Sequence, residues 1–179
     1  MTGSPLRLRP LLFLDVDGAL IPFGATPEQY PDGYPTYMRQ EVGAHPLLAR
    51  VNPTLGPRLM ALPCELVWVT TWETEANKYL APLLGLPQLP VVTWPEPSRA
   101  SREDERGGLH WKTRALVDWS DGRPFAWLDD ENTDTDRAWT EAHHPARTLL
   151  RRVDPRQGLT DADFAALDEW LRAGDVSRP

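Results

Sequence analysis

The sequence predicts an α/β fold: a parallel sheet of about five strands with helices on both of its faces. Three observations lead there. Apolar stretches of strand length alternate with capped helical ones, several apolar stretches are unbroken, as strands covered on both sides are, and two of them end abruptly in carboxylates.

Strands are expected over residues 11–16, 66–70, 89–93, 124–128 and 147–153. Helices fall between them. Residues 53–61 follow Asn52 as N-cap, with Pro53 at the first helical position. Residues 73–84 end at Gly85, a good C-terminal stop, and Pro82 is expected to kink or shorten the last turn. Residues 110–119 come next, then 135–143 ahead of Pro145. Residues 161–173 begin at a capping arrangement of Thr160 and Asp163 and stop at Gly174. Residues 22–46, rich in Pro, Gly and Tyr, read as a loop near the exit of the first strand, and the polar stretch 95–108 reads as a mobile surface loop. The whole chain, residues 1–179, is expected to form a single domain, since its length fills one core better than two.

Composition removes some functions. A formal net charge of -7 argues against a strand-tracking nucleic-acid groove and against acidic membranes, both of which need clustered cations. Arg147, Arg151, Arg152 and Arg156 could form a local basic strip, although arginines on an edge strand and its exit more often make a solvated face. With Cys64 alone no intramolecular disulfide can form, and a thiol beside Pro63 reads as buried filler. No stretch approaches transmembrane length, and the apolar run behind the basic start breaks at Asp15, so the cytoplasm is the expected location.

The chemistry gathers where strands end. Residues 11–14 are apolar and deliver Asp15 and Asp17, which an extended chain turns the same way, before Gly18 permits a sharp departure. Carboxylates that close repel unless a cation or a shared proton intervenes. An ordinary Asp-Gly turn is the plain alternative. Thr70 and Thr71 end the next strand and suit phosphate oxygens, or simply cap a turn. Asp129 and Asp130 follow the apolar run 125–128, and beside the first strand they would complete a site for a hard cation such as Mg²⁺; a solvated acidic loop capping the next helix through Thr133 and Asp134 is the alternative. Lys112 could neutralise a nucleophilic carboxylate, and only its place in the order sets it above Lys78.

Leu14-Asp15-Val16-Asp17-Gly18, then Thr70 after an apolar strand, then Lys112, then Asp129-Asp130 after another, resembles the haloacid dehalogenase-like superfamily over roughly residues 11–150. The run from Val67 to Glu73, with Asp154-Pro155 and Gly158-Leu159-Thr160, is similar to the small bacterial branch found as a domain in multifunctional RNA-repair proteins. The resemblance implies a three-layer Rossmann-like sheet with the first and fourth motif strands adjacent, and both intervals between motifs look too short for a large cap domain. It also implies a Mg²⁺-dependent phosphatase: Asp15 as nucleophile, Asp17 as general acid and base, Thr70 with Thr71 and Gly18 around the phosphoryl group, and Lys112 steadying Asp15. The metal would be held by Asp15, the Asp17 carbonyl, Asp129 and Asp130, with Asp134 as a substitute for Asp130 in related patterns.

The expected substrate is a phosphomonoester, small or at the end of a macromolecule. Two alternatives stand beside it: an end phosphatase of RNA or DNA repair, which the acidic balance disfavours, and a non-catalytic binding or regulatory module on the same fold. Tyr30, Tyr34 and Tyr37 could form a small lid or merely cover the sheet edge. Of eight tryptophans, Trp72 and Trp94, at rim positions, are the only candidates for a place near substrate, while Trp68, Trp119, Trp127, Trp139 and Trp170 belong to packing.

Overall fold

The computed structural model describes residues 9–38 and 45–176; the basic start, residues 39–44 toward the end of the tyrosine-bearing loop, and the last three residues lie outside the described residues. Four strands form one sheet: β1 (Leu11–Leu14), β2 (Glu65–Trp68), β3 (Phe125–Asp129) and β4 (Thr148–Arg152). All are parallel, in the order β2-β1-β3-β4. β1 is therefore an interior strand, flanked by β2 and β3.

The unbroken apolar runs are explained by what covers each face. Leu12, Leu14, Leu66, Trp68, Ala126 and Leu128 face one core with Leu59, Leu80 and Leu167. These last three come from α1 (Leu55–Met60), α2 (Glu75–Leu84) and α6 (Asp161–Val176). The intervening residues, Leu11, Phe13, Val67, Phe125 and Trp127, face a second core with Leu116 and Trp119 of α4 (Thr113–Ser120). α5 (Asp134–His143) lies beside α4 and β4. With side chains alternating along each strand and helices on both sides, the interior strands β1 and β3 have no position free to be polar until they end. The result is a three-layer, Rossmann-like α/β fold.

Several element boundaries differ from expectation. Residues 89–93 make only one bridge, Val91 beside Trp68, because Pro90 has no N–H to give and its carbonyl accepts from Trp68 N at 2.9 Å. Residues 95–108 are not simply a loop but hold α3 (Arg99–Arg106). It was illegible because it buries no residue; a Ser98–Ser101 capping box and the Asp104–Arg114 ion pair at 2.7 Å hold it instead. Pro82 does not shorten α2, which reaches Leu84 and is capped by Gly85 in the left-handed region, φ 65°. α1 starts at Leu55, not at Pro53, although Asn52 Oδ1 still accepts the Thr54 N–H at 3.0 Å. α6 runs through Gly174, where the missing side chain leaves space occupied by the Arg147 guanidinium. A 3₁₀ helix, Pro46–Arg50, precedes α1.

Among the described residues, the interval between β1 and β2 holds only the 3₁₀ helix and α1, and no cap sheet. No helix among them is long and apolar enough to cross a membrane. The four arginines make no open strip: Arg151 pairs with Asp163 at 2.8 Å, Arg156 with Asp154 at 2.9 Å, Arg152 Nε donates to Asp130 O at 3.0 Å, and Arg147 donates to Trp170 O.

Candidate active site at the carboxyl margin of the sheet

Register alone brings the two motif carboxylates together. Leu14 pairs with Trp68 on one side and Leu128 on the other, so the next residues of β1 and β3, Asp15 and Asp129, emerge side by side. Asp15 N donates to Leu128 O at 3.1 Å, which locks that alignment. Both aspartates have the strand parity of Phe13 and Trp127, the face that α4 covers. Lys112, immediately before α4, meets them there: its Nζ is 2.9 Å from Asp15 Oδ2 and 2.7 Å from Asp129 Oδ2. All three are buried, at 5%, 0% and 3% exposure for Asp15, Asp129 and Lys112. Lys78 is exposed and rests over the Tyr79 ring, so of these two lysines Lys112 is the one that lies in the acidic group.

Asp130 joins this group and Asp134 does not. Asp15, Asp129 and Asp130 each offer a carboxylate oxygen within 4.8 Å of the others, whereas Asp134, exposed at the start of α5, pairs with Arg137. Gly18 makes room for this. Its φ of 80° suits glycine, and a Cβ there would lie 2.6 Å from Asp130 Cγ.

The charges are unbalanced. Burial, then the neighbouring Asp129, hold the Asp15 carboxyl well above the usual range despite Lys112. Burial, Asp129 and Glu131 push Asp130 up to about 6. For Lys112 burial is the largest influence and opposes the charge, but attraction and hydrogen bonds from Asp15 and Asp129 outweigh it, and its pKa is raised. Three carboxylates around one ammonium, all oxygen donors, are a set that a hard divalent cation fits.

Asp17 takes a different place from Asp15. Its Oδ2 accepts from Trp72 Nε1 at 3.0 Å, and its side chain is outside the three-carboxylate group. Thr70 is fully buried beyond β2, and its Oγ1 accepts the Trp72 N–H at 3.2 Å; Thr71 is exposed. The loop they start passes through Glu73 with a positive φ of 48°. Trp72 was expected at the rim, and its pairing with Asp17 puts it there.

Two residues escaped the sequence reading. Asp136, fully buried, accepts from His110 N (2.7 Å) and Thr113 Oγ1 (2.7 Å) on one oxygen, and from Thr133 N (2.7 Å) and Thr133 Oγ1 (2.8 Å) on the other. It ties the segment carrying Lys112 to the start of α5. The Thr133–Asp136 spacing is a capping-box signal that could have revealed half of this role. The other is Trp111, exposed beside Lys112 and packed on Trp94. Tyr30, Tyr34 and Tyr37 line a cavity with Arg50, Ala19 and Leu20 that none of Asp15, Thr70, Lys112 or Asp129 shares.

Residues 11–164 match the family described as the HAD domain in Swiss Army Knife RNA repair proteins. The chain belongs to that family. Membership in this haloacid dehalogenase-like branch supports a phosphatase-type hydrolase activity and agrees with the RNA-repair likeness of residues 67–73. No curated protein and no solved structure gives a significant match to the chain.

Proposed function

We propose that the chain is a Mg²⁺-dependent phosphatase that hydrolyses a phosphomonoester through a phosphorylated Asp15. The observation that carries this reading is the placement of a buried Asp15 beside Asp129 with Lys112 joining them. A structural aspartate gains nothing from such company, whereas a nucleophile needs its charge held ready and partly offset. An Asp15 oxygen attacks phosphorus, and Asp17 gives its proton to the departing ester oxygen. Asp17 then takes a proton from water, whose oxygen attacks the same phosphorus, releasing inorganic phosphate and restoring Asp15. Thr70 and Thr71, at the neighbouring strand end, and Gly18 would hold phosphoryl oxygens. Asp15, Asp129, Asp130 and the Asp17 carbonyl would hold Mg²⁺, which supplies positive charge against the transferring group when bound.

The substrate we favour is the phosphorylated end of an RNA strand, because the matched family is described from RNA repair proteins. Missing basic stripes are no obstacle if the enzyme grips an end and not a length of strand. Asp15→Asn is expected to remove at least about 1,000-fold of turnover of a phosphorylated oligonucleotide while circular dichroism and melting stay native. Full activity in that variant would refute the nucleophile. Bound Mg²⁺ with no hydrolysis over a broad phosphate ester panel would instead support a regulatory module.

A further inference from the structure

Trp111 is large, 39% exposed and one residue from the lysine of the site. Solvent exposure of an indole wastes apolar surface, yet this ring is held firmly. Trp94 meets it edge-to-face with centroids 4.6 Å apart, and the His110 ring lies 5.7 Å away on the other sequence neighbour. Lys112 Nζ stands 5.7 Å from the Trp111 ring centre and 2.9 Å from Asp15 Oδ2. The ring is thus within a single nucleotide's reach of the attacking oxygen. Other exposed large apolar residues, such as Met60 and Tyr79, have no such link to the acidic group.

We propose that Trp111, braced by Trp94, is a stacking platform for the nucleobase of the nucleotide that bears the scissile phosphate. This rests on the phosphatase reading above and adds to it the surface that would hold the terminal nucleotide. A braced aromatic ring loses little freedom on stacking, and every base has a π-face to offer, so the platform selects nucleotides without reading sequence. Trp94, a rim position in the sequence, packs on Trp111, and the two rings form one surface.

The test is a ratio within each protein. Adenosine 3′-monophosphate and ribose 3-phosphate are compared for kcat/KM, with the 5′-phosphates and deoxyadenosine 3′-monophosphate as further arms that separate end polarity and RNA from DNA. The intact protein should favour the base-bearing ester by about 10- to 100-fold. In Trp111→Ala that ratio should fall to near one, and Trp111→Phe should keep most of it, whatever either change does to overall rate. A ratio near one in the unaltered protein, or one that survives Trp111→Ala, overturns the platform while leaving the phosphatase reading intact. Equilibrium binding of the same pairs to Asp15→Asn separates the two ideas further. Trp111-dependent preference for the nucleotide in Asp15→Asn, together with no hydrolysis of any of these esters by the unaltered protein, would keep the platform and end the phosphatase.

Discussion

The two margins of the sheet are built from the same four strands and treat charge in opposite ways. At the carboxyl margin Asp15, Asp129 and Lys112 are buried in mutual contact. At the amino margin the charged pair is Arg123 with Glu65, whose side chains are 19% and 55% exposed, beside the inert, buried Cys64. Glu65 is open to water, so the second pair is screened more than the first and contributes less. The first must offset its own desolvation, and a fold gains no stability from that arrangement over apolar packing. Burying charge where leucine would serve better is the physical mark of a site, and it separates the two ends before any chemistry is assigned.

The contrast is sharpest at Lys112. Lys112→Met leaves two adjacent buried carboxylates without their cation and should cost about 3–5 kcal/mol in denaturant titration, together with the loss of phosphatase turnover. A variant as stable as the parent would mean that the charges are not buried as described.

Asp136 tests whether the carboxyl margin is held from a distance. Asp136→Asn keeps the shape but replaces an acceptor oxygen by a donor, leaving N–H and O–H groups of His110, Thr113 or Thr133 unmatched; about 2–3 kcal/mol is expected. Turnover should fall in the folded variant as Lys112 loses its anchor, with KM changed less than kcat.

At the other margin burial pushes the Cys64 thiol up to about 12. The folded chain then holds that proton more tightly than the unfolded one, so this contribution to stability is complete below the ordinary thiol value and declines as pH rises from about 9 toward about 12. Alkylation by iodoacetamide at pH 8 should be at least about 100-fold slower in the native than in the urea-unfolded chain. Rapid native alkylation would show that this end is open.

Glu65→Gln should shift stability by less than about 1 kcal/mol and leave turnover unchanged. A larger loss would erase the distinction between the margins.

Much was written locally. Apolar stretches, several of them unbroken, marked β1 to β4, and Gly85 and the Thr160–Asp163 pair marked helix ends, because strand burial and capping depend on residues close in sequence. α3 was hidden because a helix with no buried face has no apolar period to read, and the fifth strand failed because Pro90 lacks a donor on an edge.

The sequence by itself determined the parallel α/β class, the strand ends that carry acid, and the order of Asp15, Thr70, Lys112 and Asp129. Tertiary structure decided between like residues: Lys112 over Lys78, Asp130 over Asp134, and Trp111 beside Trp94. Those choices depend on strand register and on the angle at which α4 meets the sheet. Both are set by packing between residues far apart in the chain, which no local pattern of side chains can express.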